Sequence, residues 1–256
     1  MLLVADTGNS QITLGIFDGE TLLHRWGISS VNAFSEDECG ITILNFLDKA
    51  DLTDKIDGII LSSVVSHLTC KIASTFKKYL KQEPIIVNHK TNLGNLKLNV
   101  EKNEEVGADR ICNIVAGFTL YQSPVVIVDM GTATTFDVVT AQGEFIGGAI
   151  CPGIGMSIDS LADKTSLLPR IEAAHINEVI ARNTVTNILS GTVIAHAAMI
   201  DGMIDRIEKE LGLKLTSIGT GGYSIFVEDH LYRKFDCFNP YLTLQGLKIL
   251  YDLNSK

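Results

Sequence analysis

The stretch LLVADTGNSQITLGIFDGE, residues 2–20, decides the reading of the whole chain. An apolar run leads into Asp6, a polar turn containing Gly8 follows, and alternating residues then lead to a second turn at Asp18 and Gly19. Two extended runs joined by a short glycine turn are the signature of a β-hairpin. We therefore predict a hairpin at the start of the chain, with Asp6 at the carboxyl end of its first strand.

The same pattern returns as VVIVDMGTATTFDVVTAQGE at residues 125–144. Asp129 follows Asp6 at the same interval, 123 residues, as Gly131 follows Gly8. This interval is close to half of the 256 residues, which indicates two related domains that each begin with such a hairpin. We divide the chain into residues 1–119 and 120–256, and we expect the two hairpin turns to face each other across a cleft.

Helical and extended patterns alternate after each hairpin. Apolar residues at helical spacing predict helices over 35–49, 68–80, 179–211 and 242–253. Apolar runs predict strands over 59–65, 84–87 and 215–218. Alternating strands and helices indicate an α/β fold in both halves.

The composition narrows the classes of function. The chain has 21 Lys plus Arg against 30 Asp plus Glu and no basic block, so a nucleic-acid partner is disfavoured. Five scattered cysteines indicate free thiols in a reducing compartment, and the six histidines show no metalloenzyme or nucleophile spacing. The apolar run before Asp6 is too short for a signal peptide, and no segment approaches a membrane span of ~20 apolar residues. We expect a cytoplasmic protein with no membrane partner.

The first hairpin turn carries candidate phosphate-binding groups. Asn9, Ser10 and Thr13 supply neutral side-chain donors beside backbone N–H groups, which could hold a phosphate chain without a lysine. Asp6 repels phosphate but can hold a hydrated Mg²⁺ ion. Taken alone, this segment is equally well an ordinary turn. The second copy, residues 129–135, favours a nucleotide site, because two facing hairpins can grip phosphates from both sides.

Two further segments carry residues that could do chemistry. Residues 105–117 lead a Gly107–Ala108 turn, with Asp109 and Arg110, into an apolar helical stretch. Asp109 fits two roles equally well, a helix N-cap or a base beside the anion partner Arg110. The glycine-rich turn 219–224 could let a base and ribose pass close to the backbone.

The motifs, taken in order, resemble those of type III pantothenate kinases. They lie at residues 6–10, 107–110, 128–135, 151–155, 183–184 with 190–191, 220–222 and 242–247. The resemblance implies two tandem actin-like ATPase (ribonuclease H-like) domains with a nucleotide cleft between them. It also implies transfer of phosphate from ATP to the primary hydroxyl of pantothenate, giving 4'-phosphopantothenate in the first step of coenzyme A biosynthesis.

Roles for individual residues follow from the same resemblance. ATP is expected at Asp6, Thr7, Gly8, Asn9, Ser10, Gln11, Ile12, Thr13 and Thr132. Pantothenate is expected at Gly107, Ala108, Asp109, Arg110 and Thr184, with Asp109 as the proton acceptor. A potassium or ammonium ion is expected at Asp129, in addition to Mg²⁺ held through water by Asp6. A homodimer is also implied, with an interface on the apolar helices of the second half.

Some positions depart from the family pattern. Val100 stands where a tyrosine is usual, Tyr223 stands where a small aliphatic residue is usual, and residues 192–198 lack an aromatic-glycine pair. The alternative function is a non-catalytic, nucleotide-binding transcriptional accessory factor of the same family, against which the intact carboxylates at the expected site argue. A phosphatase or sugar kinase of the superfamily usually needs a longer chain to enclose its substrate.

Overall fold

The computed structural model describes residues 1–30, 35–121 and 124–255, which form two compact units. The first unit is Met1–Thr119 with Tyr241–Lys256, and the second is Leu120–Pro240. The sequence division placed residues 120–256 in one half, whereas the end of the chain groups with the first unit. The reason is that the closing helix packs on strands of the first sheet.

The first unit contains one mixed sheet with helices on both faces. Its elements are β1 (Leu2–Thr7), β2 (Gln11–Asp18), β3 (Thr21–Ser29), α1 (Glu36–Lys49), β4 (Gly58–Ser63), α2 (Ser66–Thr75), β5 (Ile85–Ile86), β6 (Lys97–Leu98) and α3 (Ala108–Leu120). A π-helical turn, Phe76–Leu80, continues α2. The strand order is β3-β2-β1-β4-β5, with β1 antiparallel to β2 and parallel to β4.

Alternation along β1 gives the first sheet two different faces. Leu3 and Ala5 point into a core formed with α1 and α2, whose buried residues include Ile43 and Ile72. The opposite face bears Asp6 and is covered by the closing helix, which contacts β1 and β4. The Asp6 carboxylate therefore lies on the face of the sheet opposite α1 and α2.

The second unit repeats this plan. Its elements are β7 (Val125–Met130), β8 (Ala133–Val139), β9 (Glu144–Pro152), α4 (Ile154–Lys164), α5 (Thr184–Leu189), α6 (Ala195–Leu211), β10 (Thr216–Thr220), α7 (Ser224–Val227) and β11 (Cys237–Phe238), and the closing helix of the chain is α8 (Leu242–Asn254). Within this unit the strand order is β11-β10-β7-β8-β9. β7 and β8 are antiparallel, and β10 runs parallel to β7.

The two opening strands match each other residue by residue in burial. In both β1 and β7 the first four residues are buried, the aspartate is half-buried and the last residue is buried. Val126, Val128 and Met130 point into a core with α4, α5 and α6. The predicted repeat of two hairpins is confirmed, and so is the α/β class.

The predicted helix over 179–211 is wrong over its first five residues. The Asn183 side chain accepts a hydrogen bond from the backbone N–H of Thr186 and caps α5, which begins at Thr184. From there α5, a π-helical turn at Ser190–Ile194 and α6 form one helical stretch of 28 residues. That stretch does reach the length and apolar content of a membrane span, contrary to the sequence expectation, but half of its apolar window is buried, as in a core helix.

Candidate active site

The turn of the first hairpin exposes polar groups at the end of β1. The Gly8 N–H donates to the Gln11 carbonyl at 2.9 Å, which leaves Asn9 and Ser10 exposed at the tip. Thr13 lies opposite Asp6 in the ladder. Thr7 and Ile12 point into the interior, so only the backbone of Ile12 is available to a ligand. The expected ATP-binding residues thus divide into exposed side chains and buried ones.

The hairpin glycines are not required by backbone conformation. The sequence interpretation gave Gly8 to a tight turn, yet neither Gly8 nor Gly131 has a positive φ. A methyl group on Gly8 would lie 3.3 Å from the Gln11 carbonyl oxygen, and one on Gly131 would lie 3.5 Å from that of Ala133. The second turn would therefore accommodate alanine, whereas alanine at Gly8 would require the first turn to shift by a few tenths of an ångström. What glycine provides at both positions is open space at the end of the strand.

Asp109 lies in the first turn of α3. The Ile111 N–H donates to the Gly107 carbonyl at 3.0 Å, so Gly107 occupies the cap position and the N-cap interpretation of Asp109 is wrong. One carboxylate oxygen of Asp109 accepts the Arg110 N–H at 2.7 Å. A methyl group on Gly107 would lie 2.6 Å from that oxygen. Gly107 therefore makes room for the carboxylate at the start of the helix.

Burial raises the pKa of Asp109, against the opposing hydrogen bond and positive charge of Arg110. Cys112, one turn further along α3, is fully buried. Its pKa is well above the ordinary value because of burial and the nearby charges of Asp6 and Asp109. Both carboxylates therefore lie near this thiol, and the first unit brings Asp6 and Asp109 into one neighbourhood. A desolvated carboxylate is a stronger base, as a proton acceptor requires.

The second hairpin is enclosed by two glycine loops. Gly221, with φ +97°, lies so close to β7 that a methyl group there would be 2.4 Å from the Met130 nitrogen and 2.6 Å from a carboxylate oxygen of Asp129. The Gly153 N–H donates to the Thr132 carbonyl at 3.1 Å. A methyl group on Gly153 would lie within 2.5 Å of two carbonyl oxygens, those of Gly131 and Thr132. The Gly221 loop therefore packs directly against Asp129, and Gly153 packs against the backbone of the second hairpin turn.

A buried polar pair beneath the second hairpin was missed by the sequence analysis. Thr134 is fully buried on β8, and its hydroxyl lies 2.8 Å from Nε2 of His196 on α6. Burial lowers the pKa of His196, which favours the neutral ring. The two residues are 62 positions apart, and although Thr134 stands in the second hairpin motif, His196 stands in none of the motifs. No sequence signal could have paired them.

Thr184 and Val100 lie outside both hairpins in the chain. Thr184 is exposed at the start of α5 and lines a surface cavity of about 370 Å³, together with apolar residues that include Leu161 and Leu168. Val100 is half-buried outside the helices and strands. Across residues 1–30, 35–121 and 124–255, no three His, Cys, Asp or Glu side chains form a group that could hold a metal ion.

The chain matches the Type III pantothenate kinase family over residues 2–206. A Type III pantothenate kinase of Dehalococcoides mccartyi (strain CBDB1) is 41% identical over 254 residues, covering 99% of this chain and 96% of the relative. One from an Exiguobacterium species (strain ATCC BAA-1283 / AT1b) is 38% identical over 257 residues and covers 100% of both.

Solved structures similar to this chain share its fold at low identity. MreB5 of Spiroplasma citri bound to ADP has a TM-score of 0.55 at 8% identity and covers 98% of this chain and 96% of that one. The inorganic polyphosphate/ATP-glucomannokinase from an Arthrobacter species has a TM-score of 0.53 at 13% identity and covers 98% of each chain. These neighbours establish the actin-like ATPase fold.

Proposed function

Since the chain belongs to the type III pantothenate kinase family, we propose that it transfers the γ-phosphoryl group of ATP to the primary hydroxyl of pantothenate. The product is 4'-phosphopantothenate, in the first step of coenzyme A biosynthesis. The observation that carries the proposal is the family match over almost the whole chain. The desolvated carboxylate of Asp109 supports it because this reaction needs a proton acceptor.

Asp109 is the proposed proton acceptor. The pantothenate hydroxyl oxygen bonds to the γ-phosphorus, the bond from that phosphorus to the β–γ bridging oxygen breaks, and ADP leaves. An aspartate with an ordinary pKa of about 3.9 cannot generate a free alkoxide, so it orients the hydroxyl and takes its proton late. A loose phosphoryl-transfer transition state permits this order, and burial strengthens the base.

ATP is assigned to the hairpin turns, residue by residue as the family pattern implies. Asn9, Ser10 and Thr13 supply hydroxyl and amide donors, and Gly8 leaves space for a phosphate to approach the backbone. A hydrated Mg²⁺ ion fits Asp6, because this ion takes one or two carboxylates and keeps several waters. Bound there, it would neutralise phosphate charge.

Asp129 is proposed to bind a monovalent cation. The family resemblance supports this proposal, and so does the close packing of the Gly221 loop on the Asp129 carboxylate. Activity should be higher in potassium or ammonium than in sodium, and Asp129→Ala should abolish the difference, whereas Asp163→Ala, which changes an exposed carboxylate, should preserve it. The thermal midpoint of the wild type should also rise in KCl relative to NaCl. Equal rates and equal thermal midpoints in all three salts would contradict the assignment of a monovalent cation to Asp129.

Pantothenate is assigned to Gly107, Ala108, Asp109, Arg110 and Thr184. Arg110 supplies a positive charge beside the base, as an anionic substrate needs.

We also propose a homodimer formed through the second unit, where large apolar side chains such as Leu167, Val179 and Ile180 are exposed. Sedimentation analysis would test this, since a monomer at all concentrations contradicts it. The chain is proposed to act in the cytoplasm.

The decisive experiment is a coupled assay that offers pantothenate and several other primary alcohols with ATP. Pantothenate should be phosphorylated with the highest kcat/KM. Asp109→Asn should retain the fold and ATP binding but lose roughly 10²-fold or more in kcat, the scale of general-base removal. Glu105→Gln, which changes an exposed carboxylate nearby, is the matched control and should keep full activity.

Two outcomes would count against the proposal. Nucleotide binding without phosphorylation of any alcohol would favour a non-catalytic accessory factor. Near-normal turnover in Asp109→Asn would remove Asp109 from its role while leaving the reaction itself intact.

A further inference from the structure

The closing helix α8 is in close contact with the first sheet. The Tyr251 hydroxyl fills the space above Gly58, where a methyl group would lie only 1.9 Å from it. A leucine methyl of Leu244 approaches Gly15 on β2 in the same way, at 3.2 Å. These contacts seat α8 on the face of the sheet that bears Asp6. They hold α8 against the sheet at two positions.

A second set of contacts joins α8 to α3 instead of to the sheet. A methyl group on Gly246 would lie 2.0 Å from the carbonyl oxygen of Cys112 and 2.6 Å from its carbonyl carbon. Both are backbone atoms, so no rotamer change could relieve the clash. Beside this contact, the Thr243 hydroxyl donates to Oδ1 of the fully buried Asn113 at 2.8 Å. The two helices are therefore fixed to each other by a backbone contact and a hydrogen bond.

The contacted part of α3 is the part next to the proposed proton acceptor. Cys112 lies three residues after Asp109, one helical turn away on the same side of α3. The charges of both Asp6 and Asp109 reach the Cys112 thiol. A shift of this turn would therefore move Asp109 relative to Asp6. Packed interiors transmit such shifts because they leave little empty volume.

We propose that Thr243 and Gly246 of α8 are positioning residues, which hold the first turns of α3 so that Asp109 stays at the reacting hydroxyl. This inference rests on the proposed function, because it concerns the role of Asp109 in that reaction. Neither residue needs to touch a substrate. The C-terminal helix thus contributes to the rate through a helix that lies more than 120 residues earlier in the chain.

Thr243→Val tests the proposal, since valine keeps the shape of threonine and replaces its hydroxyl with a methyl group. We expect kcat to fall roughly 10- to 100-fold, the effect of a small misplacement of a reacting group, with KM for ATP nearly unchanged. Thr243→Ser keeps the hydroxyl and should restore most of kcat. Gly246→Ala should have a larger effect on kcat. If that variant does not fold, the two Thr243 variants still decide the question.

Tyr251→Leu is the matched control, because it weakens the packing of α8 on β4 and leaves Thr243 and Gly246 unchanged. This variant should unfold at a lower temperature but keep its kcat where it is folded. Equal losses of kcat in Tyr251→Leu and Thr243→Val would show that α8 acts only through general stability. Wild-type kcat in Thr243→Val would also overturn the proposal.

A double-mutant cycle separates failure of this inference from failure of the proposed function. If Thr243 acts through Asp109, then Thr243→Val should cost little more when added to Asp109→Asn. Full additivity of the two losses would contradict the positioning role. A large loss in Asp109→Asn with no loss in Thr243→Val would reject the positioning role alone. Normal turnover in Asp109→Asn would instead reject the assigned proton acceptor.

Discussion

The two hairpins, β1–β2 and β7–β8, differ where their sequences look most alike. Asp6 pairs with Thr13 across the first turn, whereas Asp129 pairs with Thr135, so the second turn is one residue shorter. The strands have the same burial pattern, and both motif glycines have ordinary φ angles. The repeat is therefore a repeat of strands. The turns themselves have diverged.

The surroundings of the two hairpins differ more than the hairpins do. Asp129 is packed against the Gly221 loop, while Asp6 lies in register with Ser62 of β4 and near Cys112 of α3. The two hairpins also carry their buried threonine on different strands. Thr7 lies on β1, and Thr134 lies on β8. One strand pattern thus supports two different chemical environments, which supports different proposed roles for the two carboxylates.

The largest expected effect comes from closing the space around Asp129. Gly221→Ala places a methyl group 2.4 Å from the Met130 nitrogen in a backbone conformation with φ +97°, so we expect a loss of at least about 2 kcal/mol in the free energy of unfolding. Gly222→Ala is the control, since a methyl group there meets nothing within 4 Å. Urea unfolding of both variants measures the difference. A stable Gly221→Ala protein would show that the loop over the second hairpin can move.

A smaller difference is expected between the two buried threonines. Thr134→Val leaves His196 without its hydroxyl partner and should lower the free energy of unfolding by about 1–3 kcal/mol. Among the described residues Thr7 Oγ1 has no hydrogen-bond partner, so Thr7→Val should be neutral or slightly stabilising. The same unfolding measurement compares them. Equal losses would mean that the Thr7 hydroxyl does form a bond in solution.

The hairpin glycines should affect ligand binding more than folding. Gly131→Ala should change the free energy of unfolding by less than about 1 kcal/mol, because its methyl group lies at an ordinary contact distance of 3.5 Å. Gly8→Ala should cost somewhat more, because its methyl group lies only 3.3 Å from a backbone oxygen. If phosphates occupy the open space, KM for ATP should rise several-fold in both. Unfolding curves and ATP titrations together test this. A large loss of stability with an unchanged KM for ATP would show that the glycines are needed for the conformation of the turns alone.

The smallest effect expected is a pH dependence of the free energy of unfolding, which comes from His196, the partner of Thr134 in the second hairpin. Burial lowers the pKa of His196 below its ordinary value of about 6.5. Between the lowered pKa and the ordinary one, the unfolded chain therefore binds more protons than the folded chain. The stability contributed by the neutral ring is complete above about pH 6.5 and falls as the pH drops toward the lowered pKa. The difference in unfolding free energy between wild type and His196→Gln should follow this curve. A difference that does not vary with pH would contradict a lowered pKa.

Much of the fold was predictable because it depends on local pattern. The hairpins, α1 over 36–49 and α8 over 242–254 follow apolar periodicity, and the α1 start is marked by a Ser35–Glu38 capping box. The sequence prediction began this helix at residue 179, because apolar residues at helical spacing start there. The helix in the structure begins only at Thr184, after the Asn183 cap. The sequence also identified Asp109 but gave it two equal roles. The Gly107–Ile111 hydrogen bond excluded the N-cap role, and the role as a base stays a prediction.

By itself, the sequence determined the repeated strands, the positions of Asp6 and Asp129 at their ends, and the family of the chain. Those features depend on residue order over a few positions or on matched motifs. The tertiary structure decided what the sequence could not: the grouping of α8 with the first unit, the backbone contact of Gly246 with Cys112, and the His196–Thr134 pair. Each joins segments more than 60 residues apart, and no local periodicity encodes which distant surfaces will pack together.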